Sequence, residues 1–410
     1  MINFNREAGQ WQTIEFDNGM VYSLAFAPQL LNGAYYASFA TSVDESTLSI
    51  GRFGLDGTLD TTFGVEGFVQ VKSGNGAFSR HVLVVHGSSP ESSRLLSISY
   101  CSISAQAFVL MKQMTPDGKP DNSFGEKGER WLPWPEAASA APEKQTDVAA
   151  SPAPILKADD GKAALFAAPK LAQLLLSGAF DTEFNKTGVL NNIEWGGQTL
   201  TPIACASFTA PDKPAGYFLG GLWFRSTTWQ PFLAVYDGQG KQVPFGDLGV
   251  WTRATLPGTD PELDGASAAV SHALQAVSGA VYISGHLSKG GGYVLRLTSN
   301  GQIDATFNQG EVARLDAPKW EVFEAGPLVE YEGGVVVAVT HKSTSGNERQ
   351  LRWVQFDDKG QKVGEGVYTD INDPFLLAQT IKVIDQGVEI GGVFYPSNKA
   401  SSFVARYTTS

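Results

Sequence analysis

Short runs of apolar, β-branched and aromatic residues alternate along this chain with turn-forming clusters, and the grouping repeats about every sixty residues. In one unit the runs are Val21–Ala27, Ala34–Thr41 and Thr47–Phe53, with Phe68–Lys72 beyond a glycine-rich turn. In another they are Ala268–Ala276, Ala280–Leu287, Tyr293–Thr298 and Val312–Leu315. Three runs before a long turn and one after it predict four short antiparallel strands, the anatomy of a propeller blade. Helical periodicity is almost absent; Ala138–Ala150 is the one ambiguous stretch.

The long turns share a motif. It reads Gly57-Thr58-Leu59-Asp60-Thr61-Thr62-Phe63-Gly64-Val65-Glu66-Gly67, and returns around Asp121 and Phe124, Asp181 and Phe184, and Asp304 and Phe307. A looser copy holds Phe245 without the aspartate. The phenylalanines recur at intervals of 61, 60, 61 and 62 residues. Asp358–Gly366 keeps the turn and loses the aromatic ring, while Phe4–Gly9 matches only the second half of the motif.

The ends complement each other. The last unit runs Ile381–Ile384, Val388–Tyr395 and Ser402–Thr408 and then stops, one strand short. The missing strand is available at the start, in Trp11–Phe16. Pairing the two would hide two exposed sheet edges. The expectation is an all-β, seven-bladed β-propeller of four-stranded antiparallel blades, one domain over 1–410, with the ring closed by the N-terminal strand. Its blades would span about 20–72, 80–132, 154–192, 200–252, 266–316, 320–370, and 378–410 with 4–16. The motif resembles the delta-60 repeat of bacterial proteins, close to G-x-L-D-x-x-F-G-x-x-G, sharply at Phe63 and Phe124 and more loosely at Phe245. That resemblance implies a propeller fold and carries no catalytic residues with it.

Each motif phenylalanine is expected to wedge between adjacent blades. Asp60, Asp121, Asp181 and Asp304 are expected to accept backbone amides of their turns. Calcium is the rival role for these loops, but a calcium loop needs several oxygens at alternate positions, and each motif has one reliable aspartate. No cofactor or metal is expected.

Composition narrows the function. The net charge of −12 and the lack of any Lys or Arg run disfavour nucleic acid and anionic membranes. No apolar stretch reaches membrane-helix length, and Met1–Glu7 lacks the basic-then-apolar order of a secretory signal. The expected compartment is therefore the cytoplasm, or the outside by a route without a cleaved signal. Cys101 and Cys205 fall in non-neighbouring units, which argues against a disulfide. Linear motifs of serine hydrolases, zinc peptidases and P-loop proteins are absent.

Propeller geometry puts the repeat motifs on one face and the remaining, variable loops on the other, where function is expected. The candidates there are the long segment 131–154 between two blades, and Trp134, Trp229 and Trp320 in loops, with Arg225 and Lys319 beside them. Arg80, His81 and His272 begin innermost strands at the mouth of the axial channel. Trp11, Trp195, Trp223, Trp251 and Trp353 are assigned to packing. The leading reading is a non-enzymatic scaffold for a protein partner. A carbohydrate-binding propeller and a hydrolase or lyase over the channel are the alternatives.

Overall fold

The computed structural model describes residues 11–15, 34–40, 47–54, 58–73, 77–86, 93–103, 106–135, 156–157, 161–167, 170–210, 213–225, 228–246, 249–260, 267–316, 320–344, 349–368, 376–384, 387–394 and 401–408. These residues form an all-β fold of antiparallel sheets. The first strand, β1 (Trp11–Glu15), belongs with the chain's last strands and is taken up with them. Contacts group the rest into two compact units, 12–191 and 192–395.

In the first unit, β2 (Ala34–Ala40), β3 (Thr47–Gly54) and β4 (Phe68–Lys72) make one sheet. β5 (Ala77–His86), β6 (Arg94–Ile103), β7 (Gln106–Met114) and β8 (Glu129–Pro133) make the next. The third contains β9 (Leu156–Lys157), β10 (Lys162–Ala167), β11 (Lys170–Leu175) and β12 (Ala179–Phe180), with β13 (Val189–Leu190) also on β11.

The second unit opens with a hairpin that the strand pattern did not predict, β14 (Glu194–Trp195) and β15 (Gln198–Thr199), turning on Gly196-Gly197. Then come β16 (Thr201–Ala210), β17 (Lys213–Arg225) and β18 (Thr228–Tyr236), with β19 (Gln242–Val243) and β20 (Trp251–Thr252) both on β18. β21 (Ala268–Gln275), β22 (Val281–Leu287), β23 (Gly292–Leu297) and β24 (Ala313–Arg314) form a sheet. So do β25 (Trp320–Tyr331), β26 (Gly334–Ser343), β27 (Arg349–Phe356) and β28 (Lys362–Tyr368). The last strands are β29 (Leu377–Ile384), β30 (Gly387–Phe394) and β31 (Ser401–Thr408), in a sheet ordered β1-β31-β30-β29. The first described strand therefore borders the last.

Among the described residues, strand positions follow the pattern to within a residue or two, except that β29 starts at Leu377, earlier than Ile381; the expected strand Val21–Ala27 falls outside the described residues. Three expectations need correction. Trp131–Pro133 lies in strand β8, so the long segment begins later; residues 136–154 of it, including Ala138–Ala150, fall outside the described residues. Trp229 lies in β18 and Trp320 opens β25, so neither is a loop residue. In both cases an aromatic next to turn-like residues extends the strand ladder instead of ending it.

Consecutive sheets share their cores. Phe63 is buried with Tyr36, Ile50 and Val71 of its own sheet and Leu95, Leu110 and Met114 of the next. Phe124 packs likewise between Ile98 and Met111 on one side and Leu165 and Leu174 on the other. In the second unit Phe245 and Phe307 do the same. Phe184 is also buried.

The first strands of five sheets carry a feature the alternation hides. β5, β16, β21, β25 and β29 each slip register near their start, between Phe78/Arg80, Pro202/Ala204, Val270/His272, Val322/Glu324 and Ala378/Thr380. Each slip is a β-bulge, which inserts one unpaired residue and re-aims the side chains around it.

Candidate functional site

The motif residues build a latch. In each of four motifs the aspartate Oδ1 accepts the amide two residues on, that of Thr62, Ser123, Glu183 or Thr306. Its other oxygen meets a cation: Arg52 for Asp60, Arg94 for Asp121, Lys162 for Asp181, Arg296 for Asp304. Arg296 also donates to Thr306 and to the Asp358 carbonyl of the following sheet, and lies 5.1 Å above the Phe307 ring. Arg52 repeats this with Thr62, the Pro116 carbonyl and Phe63. The amide after the phenylalanine, of Gly64, Gly246 or Asn308, donates to the turn of the next sheet at Asp117, Asn300 or Lys359.

This contact explains two sequence facts. A Cβ on Gly118, Gly301 or Gly360 would collide with that incoming amide, so in these three copies the first glycine of the motif serves the preceding one. The position after the phenylalanine has positive φ in every copy, and where asparagine replaces glycine, at Asn185 and Asn308, its side chain donates 2.8 Å to the carbonyl of Val189 or Val312.

A signal for the cation was present but unread. Eight residues before the motif aspartate stands Arg52 or Arg296, each paired across strands with a tyrosine, Tyr36 or Tyr282. Where that position is Gln113 or Gln173, the cation comes from strand two as Arg94 or Lys162, and the glutamine donates to the same carboxylate. The looser copy replaces Tyr, Arg and Asp together by Phe218, Val235 and Val243.

Of the candidate binding residues, Trp134 is corrected outright. It is 3% exposed, donates to Asn191 Oδ1 at 3.0 Å and meets Tyr100 and Phe180 edge-on. The indole fills the seam between two sheets. Trp229 and Phe224 face each other across the β17–β18 hairpin, 42% and 51% exposed, with ring centroids 5.0 Å apart and planes tilted 55°. Beneath them Trp223 is buried, donates to Gln198 Oε1 and stands edge-on to Trp195, tying this hairpin to β14–β15. The Trp229 amide donates to the Ser267 hydroxyl just ahead of β21. The hairpin lies at the end of its sheet opposite the motif turn, with Arg225 as the last residue of β17. Phe224 is the contribution that sequence reading missed, because an aromatic in a strand reads as core.

His272 is held by the Ala325 carbonyl, 3.1 Å from Nδ1, and desolvation pushes its pKa down to about 4, so it is a neutral, engaged packing residue. Arg80 and His81 lie in β5, and Lys319 and Phe4 fall outside the described residues. Both cysteines are free and buried. Among the described residues no cluster of His, Cys, Asp and Glu could hold a metal, and no helix is long and apolar enough to cross a membrane.

Residues 279–307, one strand pair and its motif, match the model of a domain of unknown function, DUF5122, described as beta-propeller. No curated protein matches the chain. Solved structures similar to it include the S. cerevisiae core factor (8% identity, 100% of this chain and 63% of that one, TM-score 0.45). Others are prolyl oligopeptidase B from Galerina marginata (11%, 95% and 49%, 0.46) and a subtype N10 neuraminidase-like protein of A/little yellow-shouldered bat/Guatemala/060/2010 (9%, 99% and 99%, 0.43). The chain thus spans less than two thirds of the length of the first two.

Proposed function

We propose that this chain is a seven-bladed propeller of the delta-60 type, closed by its N-terminal strand, that works as a scaffold whose contact face is non-enzymatic. The sheet order β1-β31-β30-β29 supports the closure, and the β-propeller family match over 279–307 supports the repeat type. Its contact element is the Phe224–Trp229 hairpin and its partner a protein.

The observation that carries this reading is the exposed aromatic pair. Phe224 and Trp229 are tilted against each other, which makes a knob suited to a partner's pocket and not the single flat platform on which a sugar ring stacks. Buried Trp223 and its bond to Gln198 stiffen the base, so little order is lost on docking. Aromatic anchors of this kind account for about 2 kcal/mol or more in an interface.

Affinity capture with the wild type and with the Phe224→Ser/Trp229→Ser double variant tests it. A partner retained by the first should bind the second at least about 30-fold more weakly. Equal retention removes the knob from the reading. Binding on a glycan array that is lost with Trp229→Ser would replace the protein partner by a carbohydrate.

A further inference from the structure

The bulge in β21 has chemistry attached. Val270 pairs with Gly285 and His272 with Ser284, so Ser271 is the extra, unpaired residue. The added residue turns its hydroxyl towards β22, where Oγ lies 3.3 Å from Nδ1 of His286. Ser271 is 6% exposed, so the hydroxyl is sheltered from bulk water. His286 stands one turn of the ladder further on, opposite Ala269, at the end of the sheet away from the motif. Burial lowers its pKa, which keeps it unprotonated and able to accept from a serine at neutral pH. His272 cannot take that part, because its Nδ1 is committed to Ala325.

We propose that Ser271 and His286 are a nucleophile and base that accept an acyl group from small activated esters. Bulges re-aim side chains beside reactive sites, and a nucleophile–base separation slightly beyond hydrogen-bond ideal is usual before substrate binds. In the step, Oγ attacks the ester carbonyl carbon while its proton passes to His286 Nδ1. The carbon–oxygen bond to the leaving alcohol breaks and the alkoxide takes that proton. Water, deprotonated by the same nitrogen, then releases the acid and restores the serine. Burial is the cause of the His286 shift, and among the described residues no carboxylate is seen to orient the ring, so the pair turns over slowly and acyl capture is the observable event. The shelter around Ser271 limits the acyl group to a small one.

The test uses the full chain and diisopropyl fluorophosphate, in which the P–F bond breaks and fluoride leaves. Peptide mapping should find one phosphoryl adduct, on Ser271, that fails to form once the chain is unfolded in urea. Ser271→Ala should abolish it, and His286→Gln should slow it about 100-fold or more. The labelling rate of the wild type should rise with pH through a titration below 6.5, and that rise should vanish in His286→Gln. No adduct on the native wild type, an adduct elsewhere that survives Ser271→Ala, or a rate indifferent to His286→Gln would each overturn the assignment.

Discussion

Acidification from pH 7 to 4 should cost this protein several kcal/mol through its buried histidines. His272 and His341 are the main source, with His286, also lowered by burial, adding to them. Burial lowers the first two to a pKa of about 4, from the ordinary histidine value of 6.5. His341 donates from Nε2 to the Leu315 carbonyl, the Arg352 charge adds to the effect of burial, and its sheltered Nδ1 has no partner among the described residues. Unfolded, each ring takes a proton near pH 6.5; folded, it resists until about 4. Stability from these rings is therefore complete above 6.5 and lost as pH falls towards 4, at up to about 1.4 kcal/mol per ring per pH unit. The shift amounts to roughly 3 kcal/mol for each. Asp60, Asp121, Asp181 and Asp304 are also lowered, below 3.8, so the stability they add as charged groups is complete above that pH and is lost as pH falls beneath it. Urea unfolding midpoints measured between pH 7.5 and 4 should fall in the wild type. In His272→Gln/His341→Gln most of that slope should be gone, whatever the variant's stability at pH 7.5. A wild-type midpoint flat from 6.5 to 5, or an equal slope in the double variant, would refute the neutral-ring account.

Three further outcomes follow from the packing. Gly301→Ala should cost about 2–4 kcal/mol in denaturant unfolding, because its Cβ meets the Gly246 amide, whereas Gly279→Ala, at similar positive φ with only Ser299 Cβ at 3.7 Å, should cost about 1. Phe307→Ala should cost about 3–5 kcal/mol through lost burial and a cavity, and Phe224→Ser/Trp229→Ser less than about 1 in the same measurement. Native protein should resist a thiol reagent such as Ellman's at pH 8, since burial pushes Cys101 up to about 11 and Cys205 higher still; rapid modification of either would count against that packing.

The sheets were legible because five copies of one motif report the same turn, and errors at one copy are corrected by the others. The site was not, for two physical reasons. Exposure of Phe224 depends on where a hairpin ends relative to its neighbours, and nothing in the string Leu-Trp-Phe-Arg separates an outward ring from the buried Trp223 beside it. The bulges matter more. With strict alternation His272 is the notable side chain at the start of β21, but one inserted residue exchanges the two faces. That slip turns Ser271 towards His286 and sends His272 to Ala325. Trp134 failed for the opposite reason: its proline-flanked string reads as a loop, yet the ring caps a seam that only the third dimension creates.

The latch also shows how such a repeat tolerates drift. Tyr282, Arg296 and Asp304 form a linked polar set, with Arg296 and Asp304 mostly buried, and Phe218, Val235 and Val243 occupy the same three places in the preceding sheet. Removing one charge of a buried pair leaves the other uncompensated, whereas removing both in favour of apolar groups costs little. The apolar copy lacks all three polar groups together, the combination that this asymmetry favours. Arg296→Val alone should therefore cost about 3 kcal/mol or more, and Asp304→Val alone a similar amount. Tyr282→Phe/Arg296→Val/Asp304→Val should cost well below the sum, with a coupling of about 1–3 kcal/mol in a mutant cycle read by urea unfolding. Additive losses would mean that the cation and carboxylate act separately, and that the apolar copy survives for reasons of its own.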